Sequence, residues 1–128
     1  MIEQTVDIAT KDGATTTFIV HPERDGPHPL ILFFMDAPAI REELRDMARR
    51  IASVGYYVMM GSINIPLVMD DADALLEFAG RDPAAGAGPA GAIGYCMSGQ
   101  YAINAAARHP ERIRCAASLY GVQLVTHA

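Results

Sequence analysis

Ala92-Ile93-Gly94-Tyr95-Cys96-Met97-Ser98-Gly99 carries the chain from a short apolar strand pattern into an alanine-rich helical pattern within a few residues. A strand that turns that sharply into a helix needs small residues two positions before and two after the residue at the tip. Gly94 and Ser98 meet that need around Cys96, and Gly99 adds slack. A thiol at such a turn faces the N-terminus of the helix, whose positive end favours a thiolate. Two readings follow from these residues alone: a reactive cysteine presented at the edge of a sheet, or a buried structural cysteine in a glycine-rich turn.

Working outward, strands and helices alternate. Upstream, Leu30 to Met35 is apolar without alternation, as expected for a central parallel strand buried on both faces. Pro38 suits a first helical turn. Ile40, Leu44, Met47, Ala48 and Ile51 then recur at helical spacing, and Gly55 is placed to cap that helix in a left-handed conformation. Tyr56 to Met60 reads as the next buried strand. Val68, Ala72, Leu75, Leu76 and Ala79 define a second helix stopped by Gly80 and Pro83. Downstream, Ser98 to Arg108 is a helix and Ile113 to Tyr120 a last strand. At the start, Ile2 to Thr10 and Thr15 to Val20 flank the turn signal Lys11-Asp12-Gly13, an antiparallel hairpin. The sum is one α/β domain over residues 1–128: a doubly wound, mostly parallel sheet with an N-terminal antiparallel hairpin.

Composition narrows the function. The chain has 128 residues, 51% of them hydrophobic, and a net charge of −5. It can bury a core, and it has no basic run to follow a phosphate backbone, so no nucleic-acid partner is expected. No apolar run approaches membrane-spanning length, so no membrane partner is expected, and the N-terminus shows no signal-peptide pattern. Two cysteines make no disulfide framework, which implies a reducing, cytoplasmic setting.

The run Gly94-Tyr95-Cys96-Met97-Ser98-Gly99-Gln100-Tyr101-Ala102 resembles the nucleophile region of the dienelactone hydrolase family. So do Phe34-Met35-Asp36-Ala37-Pro38 leading into Arg41 to Ala48, and Ala116-Ala117-Ser118-Leu119-Tyr120-Gly121 after the helix. The resemblance implies a partial α/β-hydrolase fold, with Cys96 as nucleophile in a Cys-His-Asp triad that acts on small esters or lactones without a cofactor or metal. It assigns the backbone N–H groups of Met97 and Ala37 to the oxyanion hole, and places Asp36 where the family has an acidic residue touching the resting thiol. The family residue is a longer glutamate; Asp36 is equally suited to cap the helix at Pro38.

Two departures stand out. The family's aspartate and histidine follow two further strands beyond Gly121, and this sequence stops at Ala128, so it reads as C-terminally truncated. The connection from Met60 to Pro66 reads as internally shortened. His127 is within geometric reach of Cys96, about 23 Å for an extended heptapeptide; the alternative is a frayed terminal residue. His21, His28 and His109 belong at the far edge of the sheet. Gly86 to Gly91 fits a dinucleotide-binding pattern by letter but precedes a strand instead of following one. Asp70, Asp71 and Asp73 suit a helix N-terminus without a metal. Cys115 reads as a buried thiol. The last strand would be left as an apolar edge, which predicts a homo-oligomer paired through it. The competing functions are therefore a weak cysteine-dependent hydrolase and an inactive, oligomerising scaffold derived from one.

Overall fold

The computed structural model describes residues 1–10, 13–34, 42–61, 68–95 and 98–119. Six strands form one sheet: β1 (Ile2–Thr10), β2 (Gly13–His21), β3 (Leu30–Phe34), β4 (Tyr57–Gly61), β5 (Ala90–Tyr95) and β6 (Ile113–Leu119). The helices are α1 (Glu42–Ser53), α2 (Val68–Arg81) and α3 (Gly99–Arg108). The strand order is β1-β2-β4-β3-β5-β6. Strands β4, β3, β5 and β6 run parallel, and the β1–β2 hairpin joins them antiparallel through β2. Thr10 pairs with Gly13, so the hairpin connection is two residues long.

Alternation within each buried strand splits the core in two. Leu30, Leu32, Tyr57, Met59 and Ala92 face α2 and α3, where Ala72, Leu75, Ala102 and Ala105 meet them. Phe33, Val58, Met60, Phe18 and Val20 face α1, which contributes Leu44, Ala48 and Ala52. The helical spacing read from the sequence thus lands on the buried stripe of each helix. Gly55 closes α1 at φ +107°, a backbone conformation open to glycine, and its N–H reaches the Ala52 carbonyl at 2.9 Å. Strand β5 begins at Ala90, two residues earlier than its apolar pattern suggests, because the Ala90 N–H bonds the Arg112 carbonyl at 2.7 Å and starts the β5–β6 ladder.

One expectation is corrected. Cys115 is exposed. It lies in register with Gly91 on the α1 face of the sheet, and α1 packs mainly over β2 and β4 there. No described element covers β6 on that side, so Cys115 and Ala117 remain open to solvent.

Candidate active site

Parallel strands deliver their C-terminal ends to a single edge. Phe34 pairs with both Gly61 and Gly94, and Gly94 pairs with Ser118. The C-terminal ends of β3, β4, β5 and β6 therefore lie side by side. Cys96, Met97, Asp36, Ala37 and His127 themselves lie outside the described residues. What the structure fixes is the frame around them.

That frame is tight. Tyr95 ends β5, and Ser98, fully buried with φ −81° and ψ −8°, already leads into α3. A Cβ placed on Gly94 would fall inside the Ser98 carbonyl group, 2.7 Å from its carbon, and 3.0 Å from the Gly99 nitrogen. Real side chains do not tolerate such contacts with backbone. The chain doubles back so closely that only glycine fits two residues before Cys96, the requirement read from the sequence. Across the sheet, Tyr95 packs on Phe33 with ring centroids 5.6 Å apart. Burial holds its phenol above the ordinary tyrosine pKa, hence neutral.

The described histidines stand elsewhere. His21 ends β2 beside the start of β4 and stacks on Tyr57 at 5.1 Å. His28 precedes β3, its Nε2 2.8 Å from the Arg24 carbonyl oxygen. His109 follows α3, and its Nε2 lies 2.6 Å from Asp73 Oδ1. All three occupy the N-terminal edge, a strand length of about 17 Å from the elbow. Asp70 and Asp73 are ion-paired to Arg108, at 3.6 and 2.6 Å. The glycine-rich segment before β5 is held by Arg112, which donates to the Gly86 carbonyl at 2.8 Å and to that of Gly88. These acidic and glycine-rich features are thus structural.

Two features escaped the sequence reading. The Tyr57 hydroxyl donates to Asp82 Oδ2 at 2.6 Å, joining β4 to the end of α2; nothing in residues 25 apart signals the pair. Ser118, directly opposite Gly94, has a buried hydroxyl with no hydrogen-bond partner among the described residues. A serine in an alanine-rich strand was the available signal.

The sheet order, a hairpin at one side and the tight passage from β5 into α3 define the α/β-hydrolase class. Solved structures agree. A Klebsiella pneumoniae protein described as "Putative Dienelactone Hydrolase" superposes with a TM-score of 0.81 at 21% identity, covering 99% of this chain and 62% of that one. An esterase from the archaeon Pyrobaculum calidifontis gives 0.81 at 16% identity, over 94% and 43%. The dienelactone hydrolase family model matches residues 62–128, just over half of the chain; the chain belongs to that family. A curated relative from Methylorubrum extorquens, named "Putative carboxymethylenebutenolidase", is 26% identical over 145 residues, covering 94% of this chain and 50% of the relative. The chain spans about half the length of that relative. The alignment is also longer than the chain's 128 residues, so the relative carries additional residues within the matched span. Among the described residues, no helix is long and apolar enough to cross a membrane.

Proposed function

We propose that this chain carries the nucleophile half of a cysteine-dependent hydrolase for small esters or lactones. The Cys96 thiolate attacks the carbonyl carbon and forms a C–S bond. The N–H groups of Met97 and Ala37 hold the oxyanion, and Asp36 neighbours the resting thiol. Collapse expels the alkoxide, which takes up a proton. Water then cleaves the thioester to acid and free thiol. The observation that carries this reading is the forced glycine at 94: a turn that tight serves to raise the next side chain but one above the sheet edge. Family membership supports the substrate class, and the start of α3 supports the thiolate.

A second reading has its own support. The described histidines all sit at the opposite edge, which leaves His127, a group on another chain or solvent as candidate bases for deacylation. An elbow with no base retains about 10³-fold rate enhancement over water from oxyanion binding alone, the activity left when a triad member is removed. At that limit the chain is a scaffold.

Hydrolysis of p-nitrophenyl acetate by the wild type and Cys96→Ala, with intact-mass analysis, separates the two. The expected result is a burst and an acetyl adduct on Cys96, followed by slow turnover. Absence of any adduct on Cys96 would sink the hydrolase reading and leave the scaffold.

A further inference from the structure

Strand β6 is open along most of its length, yet one polar atom in it is sealed. Arg114, Cys115, Ala116 and Ala117 are exposed, while the Ser118 hydroxyl oxygen is buried and has no hydrogen-bond partner among the described residues. A buried hydroxyl without a partner costs stability, because it has lost water and gained nothing in exchange. Alanine in its place would avoid that cost, and the two residues before it, Ala116 and Ala117, are alanines. A native group of this kind calls for a physical reason.

Its position supplies one. Ser118 stands opposite Gly94 in the parallel β5–β6 ladder, so the two share a face of the sheet. Ala92, two residues before Gly94, packs with α2 and α3, and strand alternation puts Gly94 and Ser118 on that same side. There Gly94 meets the carbonyl group of Ser98, where α3 begins. Gly94, Ser98 and Ser118 therefore surround the base of the turn that carries Cys96. Covalent geometry keeps the Cys96 Cα within about 7 Å of both Gly94 and Ser98, which bracket it two residues away on either side.

The described groups bring that turn no competing charge. The first turn of α3 has no acidic residue. Tyr95 packs on Phe33 toward α1, and Tyr101 of α3 is buried in the core. Arg114, the charged residue of β6, lies four positions back toward the opposite edge. Asp36, which the proposed function sets beside the resting thiol, is an anion and would oppose a thiolate. A donor for the thiolate is what the turn needs, and the Ser118 hydroxyl is a donor with nothing to bond.

We propose that the Ser118 hydroxyl is the hydrogen-bond donor held for the Cys96 thiolate. While the thiol keeps its proton, the hydroxyl stands unpartnered. When the proton leaves, the hydroxyl rotates toward the sulfur, and its bond to an anion is about twice as strong as a neutral one. A donor already in place needs no reorganisation as the charge forms. The inference rests on the assignment of Cys96 as nucleophile and adds the group that stabilises its anion.

Alkylation of the full chain by iodoacetamide across pH, read by mass on the peptide bearing Cys96, is the test. Cys115 is exposed and reacts as well, from the other face of the sheet, so it serves as an internal reference. Ser118→Ala should slow alkylation of Cys96 at pH 7 about threefold or more, and raise the midpoint of its pH profile by about half a pH unit or more. The profile of Cys115 should stay where it is. The urea midpoint of the same variant should rise, because an unpartnered hydroxyl has gone. Ser118→Thr keeps the donor and should keep the wild-type profile. A Cys96 profile unmoved by Ser118→Ala overturns the proposal, since a merely structural serine would change the urea midpoint alone. A lower urea midpoint in Ser118→Ala also overturns it, because the hydroxyl would then be bonded at rest. The two readings fail separately. If p-nitrophenyl acetate leaves no adduct on Cys96 while Ser118→Ala still moves the alkylation profile, the hydrolase reading falls and the donor stands; an acetyl adduct with an unmoved profile does the reverse.

Discussion

The two edges of the parallel sheet are built on opposite principles. At the N-terminal edge, side chains are stitched to their neighbours: Tyr57 to Asp82, His21 onto Tyr57, His28 to the Arg24 carbonyl, and Arg112 to two carbonyls of the loop before β5. Backbone joins in, with the Gly86 N–H on the His28 carbonyl at 2.6 Å. At the C-terminal edge the described frame around the elbow position is a close backbone approach. Gly94 is pressed against Ser98, and the hydroxyl of Ser118 is buried without a partner among the described residues. One edge spends its polar groups on holding strands to helices. The other keeps a tight turn and a buried hydroxyl with no partner among the described residues, as sites of chemistry commonly do. Mutations at the first edge should therefore alter stability and leave thiol chemistry alone, and mutations at the second should alter both.

Gly94→Ala tests this contrast with the largest expected effect. The added methyl meets the carbonyl group of Ser98 and the nitrogen of Gly99, both backbone, so neither can swing away as a side chain would. Relief requires moving β5 or the start of α3. The expected cost is about 3 kcal/mol in urea unfolding, the upper end for overpacking, with loss of Cys96 acylation in the surviving folded fraction. A variant that melts like the wild type would mean that the turn is looser than its geometry, and the contrast between the edges would fail.

The elbow was legible in the sequence because its requirement is local: small residues at fixed offsets around one cysteine, between a strand pattern and a helix pattern. The same holds for α1 to α3 and for the six strands, whose periodicities match the two core clusters. What the sequence did not disclose depends on distant partners. Tyr57 and Asp82 meet only because β4 and the end of α2 converge, and periodicity carries no trace of that. Cys115 was misread for a related reason. Its apolar neighbours in sequence imply burial, but burial is decided by what packs on the strand, and no described element packs there. The proposed roles of Cys96, Met97, Ala37 and Asp36 rest on motif and family, with the flanking frame as their physical support.

Tyr57→Phe examines the stitched edge. Tyr57 is fully buried, and its hydroxyl bond to Asp82 is short at 2.6 Å. Asp82 keeps a second bond, from the Ala84 N–H at 3.0 Å, so removing the hydroxyl does not orphan the carboxylate. A loss of about 1–2 kcal/mol is expected, with the acylation rate of Cys96 unchanged. The pH dependence sharpens the test. Burial first, then the bond to Asp82 and its charge, raise the Tyr57 pKa in the folded state. The folded protein therefore holds this proton more tightly than the unfolded chain does. The resulting stabilisation is fully present below the ordinary tyrosine value of about 10 and is lost as pH climbs beyond it. Alkaline unfolding of the wild type should steepen there, and Tyr57→Phe should flatten it. Equal alkaline slopes would show that Tyr57 ionises freely in the folded protein.

Asp73→Asn carries the smallest effect and separates stitching by charge from stitching by packing. Asp73 on α2 accepts two bonds from the Arg108 guanidinium, at 3.1 and 2.6 Å, and lies 2.6 Å from Nε2 of His109 where α3 ends. Asparagine keeps a carbonyl acceptor for one of these groups and removes the charge that serves all of them. Because Arg108 and Asp73 are both more than a third exposed, water and salt screen the pair, and the expected loss is only about 0.5–1 kcal/mol. The helices themselves stay docked through Ala72, Leu75, Ala102 and Ala105, which the substitution does not touch. Repeating the urea titration in 1 M salt should therefore shrink the difference between variant and wild type toward zero. A difference that persists in salt would mean that Asp73 acts through the geometry of its hydrogen bonds. In that case the N-terminal edge is held in the same way at its surface as at the buried Tyr57–Asp82 pair.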